Sequence, residues 1–424
     1  MSRFDLFSCE ILLPDGGEDQ ILFHEAAFSL RQMIQARFGY APSVVTEAPE
    51  GPVICFTRGA NPLQCQIRRE GDSVLLTAAS ASGLDAVSER FLSLFDRDGV
   101  LSEPLDHPIC FDAADRSLAE EYGDLRVIYH NIFGYDRKPT INPERRFAFQ
   151  AYLYRAYRAP LLCLQEFDKR PRELLAPMLK AAGYCEVEVD YSALGKNCSP
   201  IFYDPKRLSL IDCGFCPFTY VSAVNPAVCN NANTKNFTWG VFEDKRLQKR
   251  LIVISLHFYY AADAVNDRME CAESNLARIR NAEELLSVIQ KEILPNYPAT
   301  PIVLGGDLNA CYDHASWPSV LSSVTKGRTV LDLLAETEGL TSVQRSAEVF
   351  ADDHITCHAY PTYEYELGYY DSCADLAGTS YSGAIDHVFI LGSGLRARTF
   401  DILDNSIAKK CSDHCPIAVD LSYC

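Results

Sequence analysis

Lysine does not occur before Lys138, although arginine does, and the 424 residues hold only two tryptophans and four methionines. No run of about 18 or more apolar residues exists, so no membrane-spanning helix is expected. The opening residues, MSRFDLFSCEILLPDGG, lack a charged stretch followed by a long apolar one. No secretion signal is read there, and a cytoplasmic location is the expectation. Positive charge is scarce throughout: 39 Lys+Arg stand against 57 Asp+Glu, a formal net charge of −18. So acidic a surface repels polyphosphate chains. It argues against non-specific binding of long nucleic acid and leaves phosphorylated small molecules or short nucleic-acid ends as partners.

What is present belongs to a globular chain. Hydrophobic residues make up 48% and charged residues 23%, ordinary values for a folded soluble domain. The length exceeds what one core usually fills, so two domains are expected. Residues 1–117 contain nine Arg and eighteen Asp+Glu, half of the net negative charge in less than a third of the chain. The polar segment 102–124 reads as the linker. The expected division is a small α/β accessory domain over 1–117 and a second domain over 118–424. Seventeen cysteines are scattered singly and odd in number, which points to reduced, buried thiols. Cys213 and Cys216 have the spacing of a redox or zinc half-site but sit in a strand-like segment with no second pair to match.

In the first part, FDLFSCEILLP is strand-like. Residues 21–38 carry apolar positions at helical spacing (Phe23, Ala26, Ala27, Leu30, Met33, Ile34), and Gly39 ends that helix. GPVICFT reads as a buried strand and CQIRREGDSVLLTAA as a hairpin turning at Glu70-Gly71-Asp72. Residues 80–95 form a second amphipathic helix. With GPVI, EGDSVLLTAAS and SGLDAV as its best points, this order resembles the small N-terminal α/β domain of α-glucuronidase- and hexosaminidase-type glycoside hydrolases over about residues 5–97. The resemblance implies an accessory role, with the chemistry in the domain that follows.

From Leu125 onward the strands are short, apolar and numerous, and the clearest helices cover about 143–158 and 267–292. This pattern suggests a sheet sandwich with outer helices. Six apolar segments border polar residues. Four carry them at the C-terminal end: RVIYHN (Asn131), PLLCLQE (Glu166), RLIVISLH (His257) and PIVLGGDLN (Asp307, Asn309). Two carry them at the start: IDHVFIL (Asp386) and SDHCPIAVDL (Asp413, His414). If the last two run antiparallel to the first four, all six clusters meet at one edge.

These residue types suit phosphate-ester hydrolysis. Mg²⁺ or Mn²⁺ takes carboxylate oxygens while bridging to phosphate, and Glu166 is the best single ligand. Asp307 and Asn309 project to one side if the backbone stays extended. Asp307 then orients and deprotonates water, and Asn309 holds that water or a phosphate oxygen. His257 and His414 donate to phosphoryl oxygens. Asp386 or Asp413 fixes the tautomer of a histidine beside it. Gly305 and Gly306 are expected to leave room for substrate.

The pieces HNIFGYD, LLCLQEFD, SPIFYDPKRL, FTWGVFED, IVISLHF, IVLGGDLNA, AIDHVFI and SDHCPIAVDL, in this order, resemble the endonuclease/exonuclease/phosphatase (deoxyribonuclease-I-like) superfamily over about residues 125–424. That resemblance implies an α/β fold with a four-layer αββα sandwich of two mixed β-sheets. It also implies a metal-dependent phosphoric ester hydrolase, phosphodiesterase or phosphatase. Asn131 and Glu166 would lie at the metal, with Asp413 contributing. His257 and Asn309 would contact phosphate, Asp307 would activate water, and His414 would bind the scissile phosphate. Asp386 would lie near the metal or support a histidine. Departures narrow the choice. The Cys-Asp-Arg signature of inositol polyphosphate 5-phosphatases is missing, and LQEFDKR lacks the lysine of abasic-site endonucleases. LQEFD is nearer the deadenylase-like branch, while the acidic surface opposes a long RNA. A sugar or lipid phosphodiesterase stays open, as does a non-catalytic phosphate- or glycan-binding protein on the same scaffold.

Secondary candidates have plain alternatives. Asn197 is a substrate contact or an ordinary turn residue. Tyr203 and Trp239 read as core, and His387 as a spacer on the opposite strand face. The aromatic stretch 358–372 reads as a lid or a Tyr-rich surface loop. His354 and His358 have metal-like spacing only if helical.

Overall fold

The computed structural model describes residues 4–14, 19–61, 64–96, 98–101, 105–112, 123–134, 143–192, 197–222, 235–260, 272–312, 325–351, 356–357, 363–364, 369–370 and 383–424. Two compact units divide the chain. One comprises Met1–Glu121 with Glu364–Tyr369 and Asp404–Ala408, and the other comprises Tyr122–Tyr363, Tyr370–Leu403 and Lys409–Cys424. The boundary expected at 117/118 lies outside the described residues.

The first unit holds strands β1 (Glu10–Leu12), β2 (Val44–Val45), β3 (Val53–Arg58), β4 (Gln64–Glu70), β5 (Ser73–Ala78) and β6 (Ile109–Asp112), ordered β2-β1-β3-β5-β4-β6. Helix α1 (Gln20–Phe38) buries Leu22, Phe23, Ala26, Ala27, Leu30 and Ile34, the predicted stripe with Leu22 added and Met33 only half-buried. It stops where Gly39 turns left-handed, φ 71°, and its N–H reaches Gln35 O. Helix α2 (Ala81–Ser93) starts at Ser80, whose Oγ accepts the Gly83 N–H at 3.0 Å. Such a cap contributes about 1 kcal/mol. The expected hairpin is present, with Glu70 opposite Ser73 across a turn at Gly71-Asp72.

The second unit contains two larger sheets. The first sheet gathers β7 (Leu125–Asn131), β8 (Leu161–Gln165), β9 (Cys185–Glu186), β10 (Ile201–Tyr203), β16 (Phe350–Ala351), β20 (Leu395–Ile402) and β21 (Ile417–Tyr423) in the order β16-β20-β21-β7-β8-β10-β9. The second sheet gathers β11 (Leu208–Pro217), β12 (Asn236–Asp244), β13 (Lys249–His257), β14 (Ile302–Asp307), β15 (Leu340–Ser342) and β19 (Asp386–Leu391) in the order β11-β12-β13-β14-β19-β15. Two-residue strands β17 (Tyr363–Glu364) and β18 (Tyr369–Tyr370) fall between β16 and β19 in the chain.

The sheets pack face to face through Val127, Tyr129, Leu161 and Cys163 of one and Leu251, Val253, Val303 and Val388 of the other. Alternate residues of β13 and β14 (Ile252, Ile254, Leu304) point outward and are covered by α5 (Ala272–Val288) and α6 (Val330–Glu336) through Ala282, Leu285, Val330 and Leu334. Burial on both faces is why these strands read as unbroken apolar runs. The outer face of the first sheet is covered by α3 (Pro143–Ala156), where Tyr154 Oη meets His130 Nδ1 at 2.7 Å. Beside α3 lies α4 (Lys169–Ala181), which buries Leu175 and Leu179. The result is the expected αββα sandwich of two mixed sheets. The long helix expected over 267–292 is seen as Ala272–Val288 followed by a π-turn, Ile289–Ile293; residues 261–271 lie outside the described ones.

One expectation fails here. A Cβ on Gly305 would come within 2.6 Å of His387 O, and one on Gly306 (φ 140°) would overlap Leu256 O. The two glycines therefore make room for the neighbouring strands β19 and β13, not for substrate.

Candidate active site

The directions of the strands bring the six polar clusters together. β13 and β14 are parallel, with His257 beside Asp307, and β19 runs antiparallel to β14, with Asp386 opposite Asp307. In the other sheet β7 and β8 are parallel, with Asn131 beside Gln165, and β21 runs antiparallel to β7. Ser412 Oγ donates to Asn131 O at 2.6 Å, and His130 Nε2 meets His414 O at 3.0 Å. These contacts hold the SDH segment at the Asn131 end. Arg146 and Gln150 of α3 hold the same end from behind, both donating to Ile132 O and Cys411 O. Across the sandwich, Asn131 Nδ2 donates to Asp307 Oδ2 at 2.9 Å and so ties the two sheet edges together.

Asp307 is the hub. Its Oδ2 also lies 3.2 Å from His257 Nε2 and 3.9 Å from His414 Nε2, while Oδ1 accepts the Asn309 N–H at 2.8 Å. Burial opposes its ionisation, but His257, His414 and Lys235 together hold it well below the usual carboxylate range. His414 Nδ1 lies 2.8 Å from Asp386 Oδ2. Burial opposes the charged ring, yet the Asp386 carboxylate holds His414 well above the usual histidine range. Asp386 in turn is seated by Thr356 Oγ1, which accepts the N–H groups of Ile385 and Asp386 at 3.0 and 3.3 Å. Cys357 pairs with His414 as an isolated bridge.

Glu166 and Asp413 complete the edge. Asn131 Nδ2 is 3.4 Å from Glu166 Oε1. Asp413, half-buried, is pushed up to about 7 by loss of solvent and by Glu166, against the pull of His414. Glu166 (φ 61°) and Asn309 (φ 51°) both adopt the left-handed backbone that non-glycine residues seldom hold.

Asn309 is thus not placed as an extended strand would place it. The chain turns after Asp307, and Asn309 Nδ2 donates to Phe258 O at 3.2 Å. Its link to Asp307 is the backbone N–H.

Asp307, Asp386 and His414 offer ligand atoms within 4.8 Å of one another. This is a different trio from the expected metal set of Asn131, Glu166 and Asp413. The short Asp386–His414 contact engages Nδ1 of that histidine, and Glu166 and Asp413 are two further carboxylates at the same edge. The donor set, oxygen-rich and anionic, fits a hard divalent ion at Glu166 and Asp413 with Asn131 beside them.

Other candidates resolve simply. His387 is 1% exposed with Nε2 2.7 Å from Ala310 O, and burial lowers its pKa; it is a core histidine. Asn197 (φ 57°) donates its N–H to Asp168 Oδ1, and Asn236 Nδ2 donates to Asn197 O at 2.7 Å, the contacts of a turn. Cys213 and Cys216 lie inside β11, and burial raises both thiols, Cys216 to about 11, the reverse of what a redox pair needs. His354, His358 and most of 358–372 lie outside the described residues.

The sequence reading missed Lys235. It stands directly before β12, which runs antiparallel to β13 with Asn236 opposite His257. The strand NFTWGVFED is therefore a seventh whose polar start lies at the same edge. Lys235 is 2% exposed, with Nζ in contact with His257 Nε2. Burial lowers its pKa to about 8, against the raising charges of Asp307 and Glu166.

No family model and no curated protein matches the chain. Among solved structures, an endonuclease/exonuclease/phosphatase family protein from Bacteroides thetaiotaomicron is similar at 16% identity, covering 70% of this chain and 97% of that one, with a TM-score of 0.48. The human Nocturnin catalytic domain with bound sulfate is similar at 17% identity, covering 71% and 93%, with a TM-score of 0.46. A mannosyl-6-phosphatase from Bacteroides thetaiotaomicron is similar at 15% identity, covering 70% and 99%, with a TM-score of 0.45.

Proposed function

We propose that the second unit is a divalent-metal-dependent hydrolase of phosphate esters. The observation that carries this reading is the convergence on Asp307. Donors from three other strand ends surround one buried carboxylate, and two further carboxylates stand beside it. A purely structural polar cluster has no need of four carboxylates, Asp307, Asp386, Glu166 and Asp413, gathered at one edge.

Glu166, Asp413 and Asn131 would hold the cation. When bound, it neutralises phosphate charge and acidifies bound water. The chain's own residues do the rest. Asp307, kept ionised, accepts a hydrogen bond from the attacking water, orients it and takes its proton. Asn131, His257 and the Asn309 N–H fix that carboxylate so that no reorganisation is needed at the moment of attack. His414, its Nδ1 proton held by Asp386, presents Nε2–H to a phosphoryl oxygen, where charge grows as the reaction proceeds.

The substrate is a phosphorylated small molecule or a short nucleic-acid end, since the net charge of −18 disfavours long polyanions. A Mg²⁺- or Mn²⁺-supplemented screen over nucleotides, oligonucleotides, sugar phosphates, inositol phosphates and phospholipid headgroup diesters tests the reading. Turnover of at least one class is expected, abolished by EDTA and restored by Mg²⁺. Inertness toward every class, or turnover indifferent to EDTA, would sink it.

A further inference from the structure

Lys235 has no part in the scheme above, yet it is the most deeply buried lysine among the described residues at 2% exposed. A buried ammonium costs stability unless something compensates it. Its contact is an awkward one. His257 Nε2 faces the Lys235 ammonium and, at 3.2 Å, the Asp307 carboxylate. The nitrogen cannot at once accept from Lys235 as a lone pair and donate to Asp307 as N–H. One of the two contacts is always the weaker, and the lysine, with three donors on a flexible stem, is the partner free to turn away.

The surroundings show where it would turn. The Lys235 Nζ lies 5.3 Å from the ring centroid of Tyr260, which is 57% exposed. The ammonium therefore sits between the hub and an open aromatic ring at the surface. His414, the other cationic group at Asp307, approaches from the Asp386 side. A phosphoryl group has oxygens on more than one side, and His414 serves only one of them.

We propose that Lys235 binds a phosphoryl oxygen of the substrate on the His257 side of Asp307, under the ring of Tyr260, and leaves His257 Nε2–H to donate to Asp307. This rests on the phosphate-ester reading and adds a substrate-contacting residue to it. The engaged state has every donor matched: Lys235 on phosphate, His257 on Asp307, His414 on phosphate from the opposite flank. Lysine serves here as a point charge for phosphate.

Calorimetric titration of the full chain with Mg²⁺ and then with inorganic phosphate in saturating Mg²⁺ tests it. Wild type is expected to bind both. Lys235→Met is expected to bind phosphate at least ~10-fold more weakly, the scale of one charge-assisted hydrogen bond, and Mg²⁺ no more weakly, because a nearby cation has been removed. Lys235→Gln, uncharged and one bond shorter but still polar, is the second variant and takes over if the methionine chain does not fold. Unchanged phosphate affinity overturns the inference and leaves the phosphate-ester reading standing. Loss of Mg²⁺ and phosphate binding together, or failure of both variants to fold, makes Lys235 a structural brace and also overturns it. Wild type that binds neither ligand brings down the parent reading as well.

Discussion

His257 and His414 are both buried, 1% and 5% exposed, and both aim Nε2 at Asp307 Oδ2, from 3.2 and 3.9 Å. Their second neighbours differ. His257 has the Lys235 ammonium against the same nitrogen, whereas His414 has the Asp386 carboxylate 2.8 Å from Nδ1. Burial and Lys235 lower the pKa of His257, and Asp386 raises that of His414 in spite of burial. One side chain type, equally buried on two flanks of one carboxylate, becomes a neutral donor on one side and a cation on the other. The partner's charge decides the protonation state, and burial alone does not. On the His257 flank the positive charge has moved to Lys235. Each flank thus carries one cationic group beside Asp307.

Removing what the flanks share gives the largest effect. Asp307→Asn keeps the shape and loses the charge that both histidines face. Turnover with Mg²⁺ is expected to fall at least ~10²-fold, as when a general base or an oxyanion donor is lost. Steady-state kinetics beside a circular dichroism spectrum checks this, and near-normal turnover in a folded variant removes Asp307 from the mechanism.

Breaking only the His414 flank comes next. Asp386 favours the protonated form of His414, so in Asp386→Asn the imidazole pKa moves down toward the ordinary value. A reaction that needs the imidazolium then loses rate at a lower pH than wild type. The expected result is an alkaline limb of the kcat/KM profile displaced to lower pH, with about a tenfold loss at neutral pH for each pKa unit by which His414 falls below the assay pH. Superimposable profiles of variant and wild type would remove the charged His414 from the scheme.

How much of this was legible in the sequence follows from what each feature depends on. The two helices of the first unit were legible because apolar spacing and the stop at Gly39 are local signals, although the second helix begins after Ser80 and ends at Ser93 rather than spanning 80–95. The six polar strand ends were legible as residue types, and their meeting at one edge followed from an assumed antiparallel direction that the structure supplies. Lys235 was not, because a lysine before an apolar strand reads as a solvated end, and only the pairing of Asn236 with His257 carries it inward. Asn309 was seen but set wrongly, since nothing in GDLN announces a left-handed φ of 51°. The glycines were misread for a related reason. A missing side chain shows that something comes close, and only the neighbouring strands reveal that the close atoms are backbone oxygens of His387 and Leu256.

The smallest effect is expected on the His257 flank. His257→Gln replaces a neutral N–H donor with another neutral N–H donor of comparable reach, so the carboxylate of Asp307 keeps an uncharged partner on that side. A net neutral hydrogen bond contributes about 0.5–1.5 kcal/mol, so imperfect geometry in the amide costs less than about tenfold in kcat. The pH profile should keep its shape, because a histidine whose pKa is already lowered by burial and by Lys235 contributes no protonation step near neutral pH. The matching His414→Gln variant discards a cation and should lose far more rate. Equal losses in the two glutamine variants would mean that the imidazoles do the same work, and the asymmetry between the flanks would fall.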